Sequence, residues 1–278
     1  MSLIKSVGGF LATIAQSRQW SWNPRKLFRL LGQGVKLLLV TTVIVWILRS
    51  VLFAPYYVPS GSMMPTLRVG DFLVASRWDY GISPRSFFAW GATHPRLGGS
   101  LPERGDMVIF AAPGHANSNV IKRVVGLPGD RIRIDAGQLF LNGQPTQKVE
   151  IGDFILPRSP GFSCLVLPGI VDQSIALSDG SDGCRFDRIV ETLPGGATFP
   201  ILNIALARSD FIPEIVVPED HLFVMGDNRD DSMDSRVPIS AGGVGLLPTD
   251  HLMGKVRLVI GSDLKGHRFL GERALAAD

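Results

Sequence analysis

A chain of 278 residues is long enough for one large or two modest domains with a sizeable buried core. Its net charge of +3 is unevenly spread: residues 1–36 carry Lys5, Arg18, Arg25, Lys26, Arg29 and Lys36 and no acid, which leaves 22 basic residues against 25 acidic ones in the rest. The basicity belongs to a tail and not to a folded face, which argues against nucleic acid as a partner.

Residues 1–36 are expected to form a basic cytoplasmic tail, with a weakly amphipathic stretch from Leu3 to Ile14. The run Leu37–Phe53, LLLVTTVIVWILRSVLF, is broken only by two Thr, Arg49 and Ser50, and it is long enough to span a bilayer as a helix. Arg49 lies near one end, where its side chain can snorkel to the interface. A cleaved signal peptide fits poorly, because the run starts late and no Ala-x-Ala site follows it. The reading is one transmembrane anchor over residues 37–54, with the lipid bilayer as a partner. Six basic residues precede this span, and Arg68 is the only one in the fifteen residues after Phe53. That asymmetry predicts a single pass through the cytoplasmic (inner) membrane, with everything after about residue 55 on the exported, periplasmic side.

Beyond the span, short apolar runs recur between Gly, Pro and Asp turns: Asp71–Ala75, Asp106–Ala111, Val120–Val125, Arg131–Ile134, Gln138–Leu141, His221–Met225 and Gly254–Ile260. With 31 Gly and 19 Pro, long helices are disfavoured outside the anchor. Leu139–Gln144 reads as a strand entering a hairpin through an Asn142-Gly143 turn. The expected fold class is mainly β: an antiparallel core domain in two parts, 55–134 and 218–262, interrupted by an inserted β subdomain, 135–217, and followed by a tail, 263–278. The insert holds Cys164 and Cys184. In an oxidising compartment this isolated pair reads as a disulfide, with two free buried thiols as the alternative.

Three segments carry candidate chemistry. Pro59-Ser60-Gly61-Ser62-Met63-Met64-Pro65 places two hydroxyls around a glycine between prolines, a backbone able to present a nucleophile and an oxyanion donor; by itself the motif is weak, and such a segment leaving a membrane is usually only a turn. In the predicted strand Val120–Val125, alternation puts Lys122 on one face with Val120 and Val124. Either that face is buried and the amine is desolvated into a general base, or it is an edge and Lys122 a solvated charge. The run Gly226-Asp227-Asn228-Arg229-Asp230-Asp231-Ser232-Met233-Asp234-Ser235-Arg236 interleaves acids with arginines. It fits a calcium loop poorly, since Arg229 stands where an oxygen ligand is needed, and it suits ion pairs that brace a site.

Taken together, Ser-Gly-Ser-Met-Met-Pro-Thr-Leu, Arg104-Gly-Asp106, Ile-Lys-Arg-Val-Val-Gly-Leu-Pro-Gly-Asp and Gly-Asp-Asn-Arg-Asp-x-Ser-x-Asp-Ser-Arg, in that order after a membrane span, resemble bacterial type I signal peptidase. The resemblance implies a serine endopeptidase whose β catalytic domain carries an inserted β subdomain. It implies Ser62 as nucleophile, Lys122 as general base and Ser232 as the residue that hydrogen-bonds the lysine. The oxyanion hole would combine the Ser62 N–H with the Ser60 hydroxyl, and Arg123 with Asp227 and Asp234 with Arg236 would be supporting ion pairs. Shallow pockets near Val58, Met63, Val120 and Ile121 would admit small side chains from exported precursors bearing signal peptides. No cofactor and no metal is implied. Asp231 departs from the family pattern, which often has Asn there, and a Val-Pro-Ile-Ser-Ala-Gly-Gly-Val-Gly run replaces an aromatic-Gly pair after Arg236.

Two other classes compete. A Ser-His-Asp hydrolase would need a histidine base, and of His94, His115, His221, His251 and His267 only His221 lies near a candidate segment, at the start of a strand. A membrane-tethered binding module without catalysis would be favoured by loss of Ser62 or Lys122, and both are present. A specialised peptidase for one exported substrate is a narrower version of the main reading.

Overall fold

The structure, a computed structural model, describes residues 24–47, 53–81, 98–114, 118–157, 174–177, 180–203 and 208–262. The chain divides after Ile47 into two compact units. The first holds one helix, α1, Pro24–Ile47. Pro24 opens it, a position where the missing N–H costs nothing. At 1.5 Å per residue the 24 residues reach about 36 Å, enough for a hydrocarbon core of about 30 Å. Pro24–Trp46 is apolar enough to cross a membrane and none of its most apolar window is buried, as a single membrane anchor requires. Thr41 satisfies its hydroxyl by donating to the Leu37 carbonyl at 2.8 Å, which suits an apolar surround. The helix starts 13 residues before the sequence reading had the span begin, because Leu27, Phe28, Leu30 and Leu31 continue its apolar surface between Arg25, Lys26 and Arg29. At the other end, Phe53 and Ala54, read as the end of the anchor, already belong to a strand. Arg49, Ser50 and the tail 1–23 lie outside the described residues.

The second unit is mainly β. Its principal sheet has seven strands: β1 Phe53–Tyr57, β2 Asp71–Ser76, β3 Met107–Ala111, β4 Asn119–Gly126, β13 His221–Met225, β14 Leu247–Pro248 and β15 Leu252–Ser262. They run in the order β1-β2-β15-β3-β4-β13-β14, every neighbour antiparallel. All five residues of β3 are buried, and their alternation explains why. Met107, Ile109 and Ala111 join one core cluster with Leu67, Leu73 and Val256, whereas Val108 and Phe110 join another with Val124, Val224 and Leu247.

Two four-stranded sheets complete the unit. One is β12-β5-β6-β7, from β5 Arg131–Asp135, β6 Gln138–Leu141, β7 Gln144–Pro145 and β12 Ile212–Val216. The other contains β8 Gln147–Pro157, β9 Ser174–Ala176, β10 Asp182–Thr192 and β11 Thr198–Leu202. All seven strands expected from the sequence are present, and Asn142 (φ 53°) and Gly143 (φ 79°) make the expected hairpin turn, left-handed at both positions. One grouping differs. β5 was assigned to the core domain, but it pairs with β6 and β12 of the insert, because the hairpin through Asp135–Gln138 and the strand Ile212–Val216 hold it there. Cys184 is fully buried and disulfide-bonded; Cys164 lies outside the described residues.

Candidate active site

The segment after β1 leaves the sheet at Val58 and coils in a tight turn, in which the Met64 N–H donates to the Gly61 carbonyl at 3.0 Å and the Leu67 N–H to Met63 at 2.8 Å. Met63 and Leu67 anchor that turn in the core, so Ser62 is held half-exposed between buried neighbours. Lys122 comes from the middle of β4 and is only 3% exposed, which settles the earlier alternative in favour of burial. Its Nζ lies 2.6 Å from Ser62 Oγ. Burial lowers the Lys122 ammonium from 10.5 to about 8, against the opposing pull of Asp234, Asp231 and Asp227. When the amine is neutral, the same short contact can run from hydroxyl to amine.

The peptide group joining Gly61 to Ser62 is fixed from the loop 226–236. Asn228 donates from Nδ2 to the Gly61 carbonyl at 3.3 Å, and from its backbone N–H to the Ser62 carbonyl at 3.1 Å. The carbonyl and N–H of a trans peptide point in opposite directions, so tying the Gly61 oxygen into the protein turns the Ser62 N–H the other way. Among the described residues that N–H has no partner. Ser60 Oγ stands 3.4 Å from Ser62 Oγ and is exposed. Gly226 has to be glycine: a Cβ there would come 2.3 Å from Ser232 Oγ and 2.5 Å from the Ser62 carbonyl oxygen.

Two buried ion pairs brace the site. Arg123, next to Lys122 but on the opposite face of β4, donates from Nε to Asp227 at 2.7 Å and stacks its guanidinium 4.3 Å from the centre of the Phe199 ring. Arg236 grips Asp234 with Nε and Nη2, both at 2.9 Å. Burial alone would push the Asp234 carboxyl up, but Arg236, the Ser232 hydroxyl and the Gly226 N–H hold it below the usual range. Ser232 donates to Asp234 at 2.7 Å; the hydrogen bond to Lys122 that the resemblance implied is not among those of the described residues.

Ser60, Ser62 and Lys122 open onto a cleft of about 480 Å³ that is also lined by Val58, Met63, Val120 and Ile121, the four residues expected to form pockets. Tyr56, Asp231 and Met233 line it too, and no histidine does among the described residues. Beside it, β4 pairs with β3 over Asn119–Arg123 but with β13 only from Arg123 onward, so Asn119–Lys122 keep one open edge. No group of three or more His, Cys, Asp or Glu among the described residues could hold a metal ion.

Sequence reasoning did not single out Asn228 or Glu191. Asn228 sat inside a recognised segment, where its buried, loop-forming context was the available signal. Glu191, wholly buried on β10, pairs with Arg229 and accepts from the Thr146 hydroxyl at 2.8 Å. It lies in the insert without any local pattern, and nothing in the sequence marked it.

Residues 31–260 match the family model described as signal peptidase, peptidase S26. The chain belongs to that family. It is a family of serine peptidases. Similar proteins include a signal peptidase I of Rickettsia typhi, 30% identical over 77% of this chain and 74% of the relative. Those of Rickettsia prowazekii (29%, 77% and 74%) and Rickettsia bellii (27%, 82% and 72%) are comparable. Among solved structures, a signal peptidase I from Enterococcus faecalis is 20% identical, covering 57% of this chain and 98% of its own, with a TM-score of 0.29. In this S26 chain, three of the segments that carried the resemblance meet at the cleft or the ion pairs behind it, and the fourth joins them through the Gly105 carbonyl, which accepts from Arg123 Nη1 at 2.7 Å.

Proposed function

We propose that the protein is a membrane-anchored serine endopeptidase that removes signal peptides from exported precursors. The observation that carries this reading is the 2.6 Å approach of a buried lysine amine to a serine hydroxyl at the floor of an open cleft. Neutral Lys122 takes the Ser62 proton as Oγ attacks the scissile carbonyl. The Ser62 N–H and the Ser60 hydroxyl bind the resulting oxyanion. The Lys122 ammonium then gives its proton to the departing amine, leaving an acyl-enzyme that water, deprotonated by Lys122, hydrolyses. Ser232 acts through Asp234, and the pairs Arg123–Asp227 and Arg236–Asp234 keep the loop in register. The open edge of Asn119–Lys122 supports binding of the precursor as an added strand. The apolar cleft walls near Val58, Met63, Val120 and Ile121 support small residues at the cut and two positions before it. The basic N-terminus supports a cytoplasmic tail with residues 55–278 exported into the periplasm.

Cleavage of an Ala-x-Ala precursor by the full-length protein in detergent tests this. Wild type should cut after the second Ala. Ser62→Ala, Lys122→Ala and Lys122→Arg should be inactive, the last because a guanidinium does not deprotonate in the working range. His221→Ala should retain most activity, since His221 Nδ1 contacts the Glu219 carbonyl at 2.9 Å and the residue lines no part of the cleft. An active Lys122→Ala with an inactive His221→Ala would replace the Ser–Lys pair by a Ser-His-Asp triad.

A further inference from the structure

The loop 226–236 carries four acids, and two are fully committed: Asp227 to Arg123 and Asp234 to Arg236, all four side chains buried. Asp231 is different. It is exposed, lines the cleft, and makes neither a hydrogen bond nor an ion pair among the described residues. Its Oδ2 would stand 3.3 Å from a Cβ placed on Gly61, so the carboxylate rests against the backbone that leads into Ser62.

A carboxylate without an arginine partner beside a centre where an oxyanion forms works against that charge, even though it favours the ammonium forming on Lys122. The opposition is relieved when a substrate residue brings a cation beside that carboxylate. Which substrate residue meets Asp231 follows from Lys122. Its amine gives a proton to the departing amine, so the space around Nζ belongs to the first residue after the cut. Asp234, Asp231 and Asp227 all favour the charged form of Lys122, and Arg236 acts in the opposite sense. Only Asp231 of these three carboxylates is open to the cleft. Resting on the peptidase reading above, we propose that Asp231 sorts substrates by charge, favouring precursors with Lys or Arg immediately after the scissile bond and disfavouring Asp or Glu there.

An exposed ion pair changes an equilibrium by about two- to fivefold. With attraction for one charge and repulsion for the other, kcat/KM should differ by about tenfold between otherwise identical Ala-x-Ala peptides carrying Lys and Glu at that position, with Gln between. Ratios taken within one enzyme cancel any effect of Asp231 on the Lys122 proton, because that effect is common to all three peptides. In Asp231→Asn the ratio should collapse to about one, in Asp231→Lys it should invert, and in wild type it should shrink at high salt. Binding of the same peptides to Ser62→Ala gives the ranking without catalysis. A wild-type ratio near one, or one that Asp231→Asn leaves unchanged, overturns the proposal. Failure of wild type to cut even the Gln peptide counts against the peptidase reading instead; in that case equal binding of the three peptides to Ser62→Ala overturns the charge selection, and Lys-first binding upholds it.

Discussion

Replacing Lys122 by methionine should make the protein more stable and inactive at once. The amine is 3% exposed and titrates at about 8 in place of 10.5, because burial disfavours its charged form. An unfolded chain holds that proton up to about pH 10.5 and the folded one only to about 8, so between these values the unfolded state binds more protons and stability rises with pH. The cost of the buried charge is full below pH 8, at roughly 3 kcal/mol for a shift of about 2.5 units. Methionine fills a similar volume without the charge but gives up the contact to Ser62 Oγ, worth about 1 kcal/mol. The net gain at pH 7 is about 2 kcal/mol, or roughly 4–8 °C in Tm for a domain of this size. By pH 10 the remaining penalty is below about 1 kcal/mol and the advantage should nearly vanish. Thermal melts of full-length wild type and Lys122→Met in detergent at pH 7 and pH 10 read both numbers. If Lys122→Met is no more stable at pH 7, or its advantage persists unchanged at pH 10, Lys122 is not carrying a desolvated charge. The neutral-base mechanism would then lose its physical basis. The same titration sets the rate: kcat/KM should rise with pH through a single acid limb centred near 8.

Asp227→Ala leaves the Arg123 guanidinium buried without its carboxylate and should cost about 3–5 kcal/mol in urea unfolding, whereas Arg123→Met with Asp227→Leu should recover a large part of it. A loss below about 1 kcal/mol in the single variant would mean that water reaches the pair. For orientation, a membrane-impermeant thiol label should reach Ser100→Cys, an exposed position, from outside the cytoplasmic membrane and reach Ser17→Cys only after permeabilisation. The opposite pattern reverses the topology.

Local signals carried over well, and pairings across the chain did not. Alternation placed Lys122 with Val120 and Val124, and the structure buries Lys122 and Val124 while Val120, half-buried, lines the cleft, because β3 covers one edge of β4 and the core packs on it. The Asn142-Gly143 turn was readable because both residues must adopt positive φ. By contrast β8 and β10, eleven residues each, form the longest strand pair in the insert, yet Gln147–Pro157 and Asp182–Thr192 mix charges and apolar residues too freely to announce themselves. β5 pairs locally with β6 through a hairpin, but its other partner, β12, lies some eighty residues further along the chain. The start of α1 was missed for a related reason: basic residues at 25, 26 and 29 look like a soluble tail until a helix places Leu27, Phe28, Leu30 and Leu31 along its length. Ser232 was expected to bond Lys122 and instead bonds Asp234, a choice set by where Arg236 holds that carboxylate.

The strands β10 and β11, together with Asp210, answer a problem that the site creates for itself. Three carboxylates act on Lys122 and each raises its affinity for a proton, so a loop built from acids works against a neutral base. Arginine partners discharge two of them, but an arginine can do this only if it is itself held. Those strands supply the holding. Phe199 of β11 backs the Arg123 guanidinium, and Asp210 lies 3.6 Å from Arg236 Nη1. Glu191 of β10 fixes Arg229, whose carbonyl accepts from Arg236 Nη2 at 2.5 Å. The end of β11 also bridges the loop directly, with Leu202 donating to the Asp227 carbonyl and accepting from the Arg229 N–H, both at 2.9 Å. With Asp227 and Asp234 paired in this way, burial outweighs the acids and the amine settles at about 8. The acid left unpaired, Asp231, is the one that faces the cleft, where an incoming chain can bring the missing cation.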